Sequence, residues 1–75
     1  MHMFRTYDRL EQFTLRELEQ TQRELAETNQ GLREPPEGVS QAEELTRLNR
    51  YLEYLVDDLR HIRERREQAL KILAG

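Results

Sequence analysis

Apolar residues recur along the second half of this chain at alternating intervals of three and four. Leu45, Leu48, Leu52, Leu55, Leu59 and Ile62 form an unbroken ladder, and Ala69 and Leu73 resume it after an interruption at Arg66. Such spacings stack side chains on one side of an α-helix in a narrow apolar seam. The first half carries a thinner version of the same pattern in a seven-residue repeat. Thr14-Leu-Arg-Glu-Leu-Glu-Gln20 is followed by Thr21-Gln-Arg-Glu-Leu-Ala-Glu27 and by the decayed copy Thr28-Asn-Gln-Gly-Leu-Arg-Glu34. Leu18, Leu25 and Leu32 fall at one heptad position and Thr14, Thr21 and Thr28 at the other. Phe4 and Tyr7 extend the stripe upstream, with Leu10 flanking it. Both halves are therefore predicted to be amphipathic helices.

Between the two patterns the chain carries a stop, a corner and a start. Gly31 suits the left-handed position that ends a helix, and Leu32 can supply the apolar contact that often follows. Pro36 lacks an N–H and pushes Pro35 out of the α region, so the first helix cannot continue. Ser40-Gln-Ala-Glu43 is a capping box for a second helix. The predicted layout is one helical-hairpin domain over residues 1–75, with a helix over about 4–30, a corner at 31–39 and a helix over about 41–73. A connection this short sets the helices antiparallel. The fold class is thus all-α: a coiled-coil-like two-helix hairpin, completed by a partner or a second copy into a helical bundle.

Folding at the corner pairs residues whose numbers add to about 73. Leu25 then meets Leu48, Leu18 meets Leu55, and Thr28, Thr21 and Thr14 meet Leu45, Leu52 and Leu59. Glu11 interrupts the first seam and Arg66 the second at matching depth. Either the two form a pair that sets the register, or both reach out to water near the open end.

Composition explains why a partner is expected. The chain has 75 residues, of which 36% are hydrophobic and 36% charged. A chain this small needs disulfides, a metal or association to become stable. It has no cysteine, which removes disulfides, thiolate metal sites and cysteine nucleophiles together. His2 and His61 are its only histidines, so no cofactor or metal is expected. A net charge of −3 argues against general affinity for nucleic-acid phosphates. No apolar run approaches the roughly 20 residues that span a bilayer, and no signal-peptide core is present. A cytoplasmic location is the expectation, without membrane insertion. Met1 and His2 read as an addition preceding a start at Met3.

Several residues lie off the seams. Tyr51, Tyr54, Asp58, His61 and Arg65 make a second stripe on the ladder helix. Asp58 and His61 stand three apart, a spacing used by metal sites in bundles, but further ligands would have to come from other helices; solvated side chains are the simpler reading. The same pair lacks a pocket or nucleophile to act with, so an enzyme is not expected. Arg60, Arg63, Arg65, Arg66 and Lys71 form the basic cluster, which suits a helix C-terminus. Phe13 and Leu15 sit off the first seam, while Val56 and Leu70 widen one edge of the second. Phe13, Tyr51, Tyr54 and Val56 are the candidate partner-binding residues. The hairpin seam itself is assigned to Leu18, Leu25, Leu45, Leu48, Leu52, Leu55, Leu59 and Ile62.

The stretch Leu18-Glu-Gln-Thr-Gln-Arg-Glu-Leu-Ala-Glu-Thr-Asn-Gln-Gly-Leu-Arg-Glu-Pro35, together with the length and two-helix layout, resembles the small co-chaperones of bacterial type III secretion needle subunits. The likeness rests on Leu18, Leu25, Glu27, Asn29, Leu32 and Pro35 and covers about the middle half of the chain. It implies a hairpin that joins a tetratricopeptide-like chaperone and with it keeps a needle subunit soluble in the cytoplasm. The basic segment 60–71 has no counterpart in that pattern. Needle subunits are also hairpins, but with a spaced proline pair where this chain has adjacent prolines. The alternative from a different class is a homodimeric coiled-coil oligomerisation module, a four-helix bundle belonging to a larger or regulatory protein.

Overall fold

A computed structural model describes residues 2–74 of the chain, with side chains described for residues 5–74. Helix α1 spans His2–Asn29 and helix α2 spans Gln41–Ala74, with no strand among the described residues. At the usual rise, 28 and 34 residues give helices of about 42 and 51 Å. They lie side by side in a rod with extents of 54 × 18 × 16 Å. The fold is a two-helix antiparallel hairpin.

Local chemistry accounts for the ends. At the close of α1 the Leu32 N–H donates to the Glu27 carbonyl at 2.8 Å and the Gly31 N–H to the Thr28 carbonyl at 3.2 Å. This is the Schellman pattern, and Gly31 supplies its left-handed residue at φ 74°. The expected apolar contact of Leu32 does not form: the residue is 73% exposed. The Gln41 side chain adds a second bond at this end, donating Nε2–H to the Thr28 carbonyl at 2.7 Å, which thus accepts through both lone pairs. Residues 36–39 form a turn closed by the Val39 N–H on the Pro36 carbonyl. Its third residue, Gly38, has φ 81°, as a type II turn demands. Ser40 then caps α2 through its Oγ, which accepts from the Glu43 N–H at 3.1 Å.

The register follows the sequence. Interhelical hydrogen bonds join Gln41 to Thr28, Tyr51 to Glu17, Asp58 to Thr14, Arg63 to Glu11 and Arg66 to Asp8. These pairs straddle the expected register along the whole rod.

Burial departs from the simple seam. Among the described residues the buried apolar side chains are Leu48, Leu55 and Ile62, and the buried partners from α1 are Thr14, Thr21 and Thr28. Leu18, Leu25, Leu45, Leu52 and Leu59, assigned to the same seam, are only half-buried. Thus one heptad column of each helix is enclosed and the other is left partly open. The threonines tolerate enclosure because Thr21 and Thr28 turn their hydroxyls back onto the carbonyls of Glu17 and Glu24, at 2.7 and 2.8 Å. Near the corner Glu44 is also buried, with its carboxylate held by Arg47 Nε at 2.6 Å.

Candidate protein-binding faces

A two-helix hairpin has two broad faces, and helical geometry assigns residues to them at about 100° per residue. Glu17 and Glu24 on α1 and Glu44, Tyr51 and Asp58 on α2 lie on one side of the seam, here the back. Leu15, Leu18, Gln22, Leu25 and Asn29 on α1 lie on the other, with Leu45, Asn49, Leu52, Val56 and Leu59 on α2. That second set is the front.

The back is roofed by polar side chains that reach across or along the helices. The Tyr51 hydroxyl donates to Glu17 Oε2 at 3.1 Å, and Thr14 Oγ1 donates to Asp58 Oδ2 at 3.4 Å. Glu24 pairs with Arg33 of the corner at 3.3 Å. The Tyr51 hydroxyl titrates above its ordinary range, chiefly because it is hydrogen-bonded to the Glu17 carboxylate. Beneath this roof lie the threonine column and Leu48, Leu55 and Ile62. The tyrosines stack on one another, with ring centroids 6.3 Å apart and planes 13° apart.

The front has no such roof. Its ten positions include no charged residue, in a chain that is 36% charged. Leu15 and Val56 are exposed outright, and the five leucines between them are half-buried. A cavity of about 580 Å³ opens along α1 here, lined by Leu15, Leu18 and Gln22 together with Gln12, Arg16 and Glu19.

Toward the open end the front closes with an ion-pair cluster. Arg66 grips both Glu11 oxygens, Nη1 to Oε1 at 3.0 Å and Nη2 to Oε2 at 3.1 Å, and Arg63 Nε reaches Oε2 at 2.8 Å. Arg66 also meets Asp8 at 3.2 Å. The charges that interrupt the two seams therefore pair with each other. The hydrogen bonds from Arg66 and Arg63 hold the Glu11 carboxyl below the usual carboxylate range. The rest of the basic cluster is also partnered in part, Arg60 with Asp57 and Lys71 with Glu67.

Of the four candidate partner-binding residues, Phe13 and Tyr54 are 63% and 64% exposed, Val56 52% and Tyr51 38%. They do not form one patch. Phe13, Tyr51 and Tyr54 belong to the back and its outer edges, whereas Val56 stands two positions beyond Tyr54 and so turns about 200° to the front. Leu15, exposed beside Leu18, is not among these four, although its spacing from Leu18 and Gln22 continues the front stripe. His61 lies beside Asp57, with Nδ1 3.6 Å from its carboxylate, while Asp58 faces Thr14. Asp58 and His61 nevertheless line a shallow back-face groove of about 340 Å³ with Tyr7, Leu10, Ile62 and Arg65. Among the described residues no three histidine, aspartate or glutamate side chains gather as a metal-holding group, and no helix is long and apolar enough to cross a membrane. Comparison with known proteins adds no relative: no family model, no curated protein and no solved structure matches the chain.

Proposed function

We propose that this chain is a non-catalytic binding hairpin that works by covering its open leucine column with helices of another polypeptide. The observation that carries the reading is the contrast within one seam. Leu55 is 3% exposed, while Leu52, one turn away in the same ladder, is only half-buried. Apolar surface left in water at a repeating position is stabilised by burial, at about 25 cal/mol per Å². A contiguous uncharged strip beside a polar rim is the usual make-up of a protein contact.

The test is association. Helix melting of the purified chain should rise with its own concentration or with added partner, and Val56→Glu should weaken that dependence while leaving helical content intact. A melting temperature indifferent to concentration and to any added helical protein would remove the reading.

The resemblance at residues 18–35 supports a particular form of this role, in which the partners are a tetratricopeptide-like chaperone and a needle subunit. Co-expression with such a pair should yield a three-component soluble complex. If the pair assembles without retaining the hairpin, that form is wrong and the general binding role is unaffected.

A further inference from the structure

We infer that the front face is the contact between two copies of this chain, packed front to front with their corners at the same end to make a four-helix bundle. The inference rests on the binding reading above and names the occupant.

Three features point to a second copy. First, both helices carry two seam columns plus one uncharged flanking column, apolar at Leu15 and Val56 and polar between them, on the same side of the hairpin. On α1 the extra column is Leu15, Gln22 and Asn29, and on α2 it is Asn49 and Val56. The flanking columns of the back are instead charged, with Glu17, Glu24, Glu44 and Asp58. Second, selection of an unlike partner commonly uses charge to attract one protein and repel others. The uncharged strip has nothing to repel its own copy. Third, the size is right. That holds when the whole face is covered, strip and ion-pair end together: 54 × 18 Å is a footprint of roughly 970 Å², against the roughly 800 Å² per partner of a standard stable interface.

The charges at the open end choose the orientation. The uncharged strip runs from residue 29 back to residue 15 on α1, which leaves Glu11 and Asp8 beyond it. With corners at opposite ends, α1 would lie along the second copy's α1 in reverse, and Glu11 would come level with the second copy's Gln22. The strip would then face the ion-pair cluster. With corners together, α1 lies along the second copy's α2, strip covers strip, and each Glu11 stands level with the second copy's Arg63.

The absence of cysteine makes a clean test, because Glu37→Cys places a single label on the exposed corner turn. Sedimentation equilibrium of the full chain should show a dimer. A spin label at position 37 should report an inter-label distance far below the 54 Å rod length. Leu15→Glu and Val56→Glu alter side chains already exposed in the single hairpin, so its helices should persist by circular dichroism, while the dimer dissociation constant rises by about a hundredfold or more. Phe13→Glu and Tyr54→Glu on the back should leave the dimer within a few-fold of the parent. A dimer broken by the back variants but not the front ones overturns the inference while preserving a binding role. A dimer whose labels sit a rod length apart overturns the orientation. A folded chain that stays monomeric throughout overturns the second copy as occupant, leaving the unlike-partner assays above to decide the binding reading.

Discussion

The two faces of this hairpin are built from the same heptad and end in different states. On the back, the columns Thr14, Thr21 and Thr28 of α1 and Leu48, Leu55 and Ile62 of α2 lie beneath a cover of tyrosine and carboxylate side chains, and all six are buried. On the front, the columns Leu18 and Leu25 of α1 and Leu45, Leu52 and Leu59 of α2 have only uncharged residues flanking them, and none of the five is fully buried. The bulkier column is thus the more exposed one. The threonine side chains are short, and the longer Tyr51, Glu17 and Asp58 side chains close over that column. The front leucines have no such cover and stay half-buried. Enclosure in so small a chain is decided by what flanks the seam more than by the seam itself.

Truncation should separate the faces most sharply. Leu55→Ala empties an enclosed site and should lower unfolding free energy by about 3 kcal/mol in denaturant titration. Leu52→Ala should cost clearly less in the dilute chain and approach the Leu55 value once the front is covered. Equal losses at every concentration would erase the distinction between the faces.

A smaller effect tests how tightly the enclosed column on the back is filled. Thr21→Leu overfills a column that is 3% exposed and should cost about 1–3 kcal/mol, although it raises apolar content. A stabilised variant would mean that the enclosed column has room to spare.

Acid should weaken the cluster that bounds the front. The folded Glu11 carboxyl, held by Arg66 and Arg63, titrates below the ordinary carboxylate range, so the folded state binds its proton less readily than the unfolded chain does. The stabilisation is therefore present above the ordinary carboxylate pKa and lost as pH falls through the depressed one. Glu11→Gln should melt below the parent near neutrality, and the gap should close in acid. A gap constant with pH would show that the ion pairs contribute nothing.

The smallest expected effect concerns the cover over the back. Glu17→Gln removes the carboxylate that accepts the Tyr51 hydroxyl, and the raised Tyr51 titration should fall toward the ordinary tyrosine value by ultraviolet absorbance. An unmoved titration would show that the contact does not persist in solution.

Much of this architecture is legible in the residues alone. The three-and-four ladder from Leu45 to Ile62 means a helix wherever it is placed. Gly31, Pro35, Pro36 and Ser40 act through their own backbone chemistry, so the corner and the antiparallel register follow without tertiary information. Which column of the seam would be enclosed is another matter. It depends on Tyr51 reaching Glu17 and Asp58 reaching Thr14, contacts between residues 34 and 44 positions apart that the periodicity of either helix does not record. Glu11 and Arg66 could each have turned to water; only the assembled hairpin, which brings one guanidinium plane against both carboxylate oxygens, makes them a pair. Helical period and capping are properties of neighbouring residues, whereas the covering of an apolar face is a property of whatever the fold brings across it.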